Sequence, residues 1–104
     1  MTNITLSEII QDIHAMDEKL WAYEKKFGLR SDYFNDLYQK GQLRDEDPAE
    51  TREYTDWAAC YDIKRHREKL YADLIRKAMR RYAKPFALRD FADEIKGTTV
   101  MLGG

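Results

Sequence analysis

The sequence predicts an all-α protein: a long antiparallel helical hairpin with a bend in its first arm and a short C-terminal helix, completing a bundle by dimerisation. Three observations predict it. Helix breakers are scarce, with two Pro and five Gly in 104 residues, three of the Gly falling in the last eight. Long stretches carry apolar side chains at helical spacing between recognisable cap residues. The two longest stretches also match, apolar to apolar and acid to base, when laid antiparallel. There is room for one domain spanning 1–104, large enough to bury a core.

The first helix covers 5–27. Thr5-Leu6-Ser7-Glu8 fits a capping box, with Ile4 placed as the hydrophobic staple before it. Leu6, Ile9, Ile13, Met16, Leu20, Tyr23 and Phe27 then alternate steps of three and four, a heptad seam that demands a partner helix. Ile10 and Trp21 lie beside the seam and widen it. At Phe27-Gly28-Leu29-Arg30-Ser31 two signals compete. The apolar phase runs on towards Phe34 and Leu37, yet Gly28 suits a helix C-terminus and Ser31-Asp32 a new N-terminus. Cap chemistry agrees on both sides, so the chain is expected to break or bend sharply here. A second helix follows over 31–40, with Phe34, Leu37 and Tyr38 inward and Gly41 as its stop.

The longest element is a helix over 48–84. Asp47 can accept from free N–H groups, Pro48 loses nothing by lacking its own, and Glu50 can reach back to the cap. Pro85 ends the run by disfavouring helix at the residue before it. That is about 37 residues, or ~55 Å of helix. Leu70, Tyr71, Leu74, Ile75, Ala78, Met79 and Tyr82 form two adjacent apolar rows, wider than a two-stranded seam. Folding the first arm back through the 42–46 connection gives facing residue numbers that total roughly 88. Phe34 then meets Tyr54, Phe27 meets Tyr61, Ile13 meets Ile75 and Ile9 meets Met79. Two helices leave part of the apolar rows uncovered. Either the C-terminal helix or a second copy fills that groove, and a two-fold dimer is the simplest closure.

Pro85 opens a short helix over 86–96 in which Leu88, Phe91, Ala92 and Ile95 share a face, and Gly97 ends it. The tail, 97–104, is apolar and short. It reads as a free end, a strand awaiting a partner, or a clip onto another subunit.

Net charge is −1, but its distribution is uneven. Residues 31–56 hold eight acids against three bases, and residues 64–84 hold nine bases against two acids. Part of this complements the helix dipole, and the rest is surface available for recognition. No apolar run approaches the ~20 residues that cross a bilayer, and the N-terminus lacks the basic-then-apolar order of a signal peptide. The single Cys60 allows no internal disulfide, so the cytoplasm is the expected compartment.

No catalytic, cofactor or metal site stands out. A metal needs three or four converging ligands, and the only histidines are His14 and His66. Cys60 reads as a small buried thiol among aromatics, since nucleophilic use needs a depressed pKa. No glycine-rich phosphate loop occurs, and carboxylates occupy exposed or capping positions. The candidate partner surface therefore combines the aromatics around the bend (Tyr33, Phe34, Tyr38, Trp57, Tyr61) with Phe86, Phe91, Val100, Met101 and Leu102. The bland reading of the bend aromatics is hairpin core. The expected partner is a protein, with a homodimer formed as well. Nucleic acid is the less favoured alternative, reached through Arg65, Lys69, Arg76 and Arg80 on the basic half of the long helix. The third alternative is a purely structural oligomerisation module.

The middle third also resembles a group of small prokaryotic helical proteins, the antitoxin-like members of toxin–antitoxin gene pairs. The likeness covers about residues 5–75. It rests on Tyr23-Glu24, the turn Phe27-Gly28-Leu29 with Ser31, Phe34 and Tyr38 on the next helix, Gly41 and Leu43, the acidic linker at Asp45, and Trp57-Ala58 with Tyr61. None of these elements is catalytic. The resemblance implies a non-enzymatic, partner-binding helical protein that neutralises a small toxic enzyme, and it leaves Pro85–Gly104 without an assigned role.

Overall fold

The computed structural model describes residues 3–82 and 84–102. In chain order these form β1 (Asn3–Thr5), α1 (Leu6–Phe27), α2 (Ser31–Gln39), α3 (Pro48–Met79), α4 (Leu88–Ile95) and β2 (Thr99–Met101). Helices of 22, 9, 32 and 8 residues dominate, so the all-α class holds, with one small sheet that the helical periodicity does not predict. The chain forms two compact units. A middle unit spans His14–Arg65, and a terminal unit joins the residues up to Ile13 with those from His66 onward. Both α1 and α3 contribute to each unit.

In the middle unit, α1 stops where Gly28 takes φ +66° and its N–H reaches the Glu24 carbonyl at 2.8 Å. That left-handed conformation is open to glycine and costly for other residues. The chain therefore breaks rather than running on to Lys40. α2 ends at Gly41 (φ +67°), with Gln42 N–H on the Leu37 carbonyl at 3.0 Å and Gly41 N–H on that of Tyr38 at 3.1 Å. This is a Schellman motif. α3 opens as expected, with Glu50 N–H on Asp47 Oδ1 at 2.9 Å. The Glu50 carboxylate does not complete a capping box; it accepts the Tyr54 hydroxyl at 3.1 Å.

Within this unit α1 and α3 run antiparallel. Tyr23 meets Asp56, Lys26 meets Glu53 and Asp17 meets Lys64, so facing numbers total 79 to 81 rather than 88. The reason is the break at Gly28: α2 is not an extension of the arm but part of the connection, and the turn's midpoint moves back accordingly. Phe34 does meet Tyr54, at 5.8 Å between ring centres, whereas Phe27 lies on Trp57 at 5.6 Å instead of Tyr61. Leu20, Phe34, Trp57 and Cys60 are the buried core.

In the terminal unit the Thr5–Glu8 capping box is reciprocal: Glu8 N–H donates to Thr5 Oγ1 at 3.1 Å and Thr5 N–H to Glu8 Oε1 at 3.2 Å. β1 pairs antiparallel with β2, Ile4 opposite Val100. The tail is thus neither free nor waiting for another subunit; it is clipped to its own N-terminus. Ile4, Leu6 and Ile9 are buried, with Ile13, Leu70, Leu74, Ile75, Ile95, Val100 and Leu102 packed against them. Burial of an aliphatic side chain of this kind stabilises by ~1.5–3 kcal/mol. Asp12 receives Arg67 Nε at 2.9 Å. Met79, expected opposite Ile9, is half exposed.

α3 ends at Met79, five residues before the expected limit. Arg81 N–H bonds the Ala78 carbonyl and Tyr82 N–H that of Met79, tightening the chain into a turn. The turn lets the Tyr82 ring pack on Phe86 (4.6 Å) and Phe91 (5.1 Å), a tertiary gain that outweighs further helix. α4 accordingly starts at Leu88, not 86. Phe91 is buried, and Ala92 and Ile95 are partly so, but Leu88 faces out at 74% exposure.

Candidate functional site

The bend aromatics are placed by one polar chain. Trp57 Nε1–H donates to Ser31 Oγ at 2.8 Å, and the Ser31 hydroxyl donates to Glu24 Oε2 at 2.7 Å. The same carboxylate oxygen accepts Ser31 N–H at 2.8 Å, so Glu24 of α1, not Ser31 itself, satisfies the first N–H of α2. The Phe34 ring lies flat on Trp57 at 3.8 Å with 4° between planes. Tyr23 stacks on the indole at 5.5 Å. Phe34 and Trp57 are both 1% exposed, so these two candidate partner residues are hairpin core. Tyr38 and Tyr61 pack against that core. Tyr33 is exposed.

Three groups here titrate above their ordinary range: Tyr23, Tyr54 and Cys60, Tyr54 through desolvation and its bond to Glu50. The Tyr23 hydroxyl donates to Asp56 Oδ2 at 2.6 Å, and this bond, with desolvation and the carboxylate's charge behind it, has pushed the phenol up to about 12. Burial, helped by the Asp56 charge, pushes the Cys60 thiol up. A thiol held neutral is a poor nucleophile.

Both units display large apolar side chains, Trp21, Phe27, Tyr33 and Ile63 among them on the middle unit. On the terminal unit Phe91 is buried, while Phe86, Leu88, Met79 and Met101 are exposed large apolar side chains. Val100 and Leu102 turn inward against Ile4, Leu6 and Ile9, so of the tail candidates only Met101 is displayed. Beside these lies a groove of about 160 Å³ that the sequence does not foretell. Leu74, Ala78 and Ile95 form its apolar floor, continued at one end by Leu6 and Ile75; Lys77, Arg81 and Glu94 stand at its rim. The shift of α3's end from Lys84 to Met79 opens this groove against α4, and no periodicity in the sequence marks that shift.

The basic candidates separate. Arg65 belongs to the middle unit, its guanidinium 5.7 Å from the centre of the Tyr61 ring. Lys69 is exposed on the terminal unit. Arg76 and Arg80 line one shallow depression with Lys77 and Asp73. Among the described residues, Arg76, Lys77, Arg80 and Arg81 have no carboxylate within 4.0 Å, whereas Lys26, Lys40, Lys64 and Arg67 each pair with one. No group of three or more His, Cys, Asp or Glu among the described residues could hold a metal ion. Nor is any helix among them long and apolar enough to cross a membrane. No protein-family model, curated protein or solved structure matches the chain.

Proposed function

We propose that this chain is a non-enzymatic protein-binding helical module, an antitoxin-like partner that neutralises a small toxin in the cytoplasm, and that it acts as a homodimer. The observation that carries this reading is the run of large apolar side chains left exposed between Met79 and Leu88: Met79 at 50%, Phe86 at 45% and Leu88 at 74%. Large apolar side chains left in water gain free energy when a partner covers them. The resemblance of residues 5–75 supplies the class of partner. Co-expression with the product of the neighbouring gene tests it. Growth arrest by that product, relieved by this chain but not by its Phe86→Asp/Leu88→Asp variant, supports the reading; relief by neither form, or no co-purification, rejects it.

A nucleic-acid role is the second reading, favoured by the cations Arg76, Lys77 and Arg80 around one depression. Salt separates the two. Binding through several phosphates weakens steeply as ionic strength rises, while an apolar protein contact persists.

A further inference from the structure

We infer that the groove between the end of α3 and α4 takes an acidic amphipathic segment of a protein partner, an apolar side chain seated on Leu74, Ala78 and Ile95 and carboxylates set against Lys77 and Arg81. This rests on the protein-binding reading and names the chemistry of the partner.

The floor selects for an apolar group. It is nearly devoid of polar surface, and its volume of about 160 Å³ suits one branched or aromatic side chain. An apolar side chain seated there would leave water for the Leu74, Ala78 and Ile95 surface. Charge complementarity selects the groups on either side of that apolar anchor. Lys77 near the end of α3 and Arg81 in the turn after it stand on one side without an acid within 4.0 Å among the described residues; Arg76 and Arg80 beside them carry the same sign, with Asp73 the acid among them. Glu94 is the one acid at the rim, and it stands on the α4 side. The two walls are therefore of opposite sign, which orients the bound segment: its carboxylates lie towards α3 and its neutral or basic edge towards α4. Complementary potentials of this kind speed encounter and suppress wrong partners.

The test uses the full ¹⁵N-labelled chain and two short synthetic helical peptides with leucines at i, i+4 and i+7. One peptide carries Glu beside the leucines and the other Lys; oligothymidylate is the third probe. The Glu peptide is expected to shift the amides of Leu74, Lys77, Ala78 and Ile95 and to bind roughly tenfold or more tightly than the Lys peptide. Lys77→Glu/Arg81→Glu, both at surface positions, should weaken the Glu peptide by about tenfold, and Glu94→Gln should strengthen it by about two- to threefold. Equal binding of the two peptides, or shifts mapping elsewhere, overturns the assignment. So does oligothymidylate moving the same amides as tightly, which would make this a phosphate surface, or concentration-dependent shifts without peptide, which would give the groove to a second copy. The probes do not depend on the natural partner. A toxin neutralised undiminished by the Lys77→Glu/Arg81→Glu chain would overturn the groove assignment alone and leave the wider reading standing.

Discussion

Trp57 and Ser31 are joined by a buried hydrogen bond, indole N–H to hydroxyl oxygen at 2.8 Å, that runs from α3 to the first residue of α2. The indole has one donor and no acceptor, so the Ser31 oxygen can only accept from it. Ser31 must turn its own proton to Glu24, and Glu24 in turn holds the end of α1 against the start of α2. Three helices are tied by one relay, in which Ser31 both accepts and donates. Phe34 then covers the indole face, which keeps water from competing for the bond.

Replacing Ser31 with Ala removes the acceptor for Trp57 Nε1 and leaves a buried donor unpaired. The expected loss is about 1–3 kcal/mol. Urea denaturation followed by far-UV circular dichroism reads it. Trp57→Phe in the Ser31→Ala background has no donor to strand, so the double variant should lose less than the two single losses added together. Additive losses would show the bond to contribute nothing.

Tyr23 gives a pH signature. Its pKa in the fold is about 12 against an ordinary 10, because the Asp56 carboxylate accepts from the protonated phenol. The folded state thus favours the proton. The stability this adds is fully present below pH ~10 and is lost as pH rises towards about 12. Lysines titrate in the same range, so the comparison is with Tyr23→Phe, in which they are unchanged. The stability gap between the two proteins should narrow from pH ~9 to ~12, and the highest step in tyrosinate absorbance should vanish in the variant. A constant gap would mean the hydroxyl is not held by Asp56.

Much of this was legible in the chain itself. Thr5-x-x-Glu8, Asp47-Pro48, Gly28 and Gly41 are local signals, and local chemistry decides helix ends. The seam from Leu6 to Tyr23 is buried or partly buried as its spacing requires. What failed was non-local. The register slipped because the path of α2 depends on Glu24 meeting Ser31, seven residues away and across a break, which no periodic pattern reports. Leu88 shares a helical face with Phe91, which Tyr82 and Phe86 hold, yet points outward at 74% exposure. The groove follows from α3 ending early, which is likewise set by Tyr82 packing rather than by Pro85.

Gly28 is the cleanest test of the break. A Cβ there would meet nothing within 4 Å, so any cost of substitution is conformational: φ is +66°. Gly28→Ala should lose about 1–2 kcal/mol. Gly28→Asn should lose less, since Asn visits the left-handed region more readily. Thermal unfolding of the three proteins should rank Gly above Asn above Ala. Equal melting temperatures would mean α1 runs through this point.

The tail makes the last prediction: of its three readings the strand holds, with the chain's own β1 as the partner. Thr98 carbonyl accepts Leu6 N–H at 3.0 Å, and the Ser7 hydroxyl donates to the Lys96 carbonyl at 3.2 Å. The first N–H groups of a helix have no partner within it, so the tail satisfies one that α1 would otherwise leave open at a buried residue. Val100 sits opposite Ile4, and Val100 and Leu102 both cover the Ile4–Leu6–Ile9 cluster. Deleting Thr98–Gly104 exposes that cluster and strands the Leu6 donor, an expected loss of about 2–4 kcal/mol. For a domain this size the melting temperature should fall by roughly 8 °C or more. Val100→Ala/Leu102→Ala should reproduce a part of the loss, whereas Met101→Ala, at an exposed position, should stay within ~0.5 kcal/mol. Amide exchange at Leu6 should accelerate in the deletion and in the double variant but not in Met101→Ala. If the deletion melts with the intact chain and Leu6 stays protected, the strand pairing of Asn3–Thr5 with Thr99–Met101 is wrong.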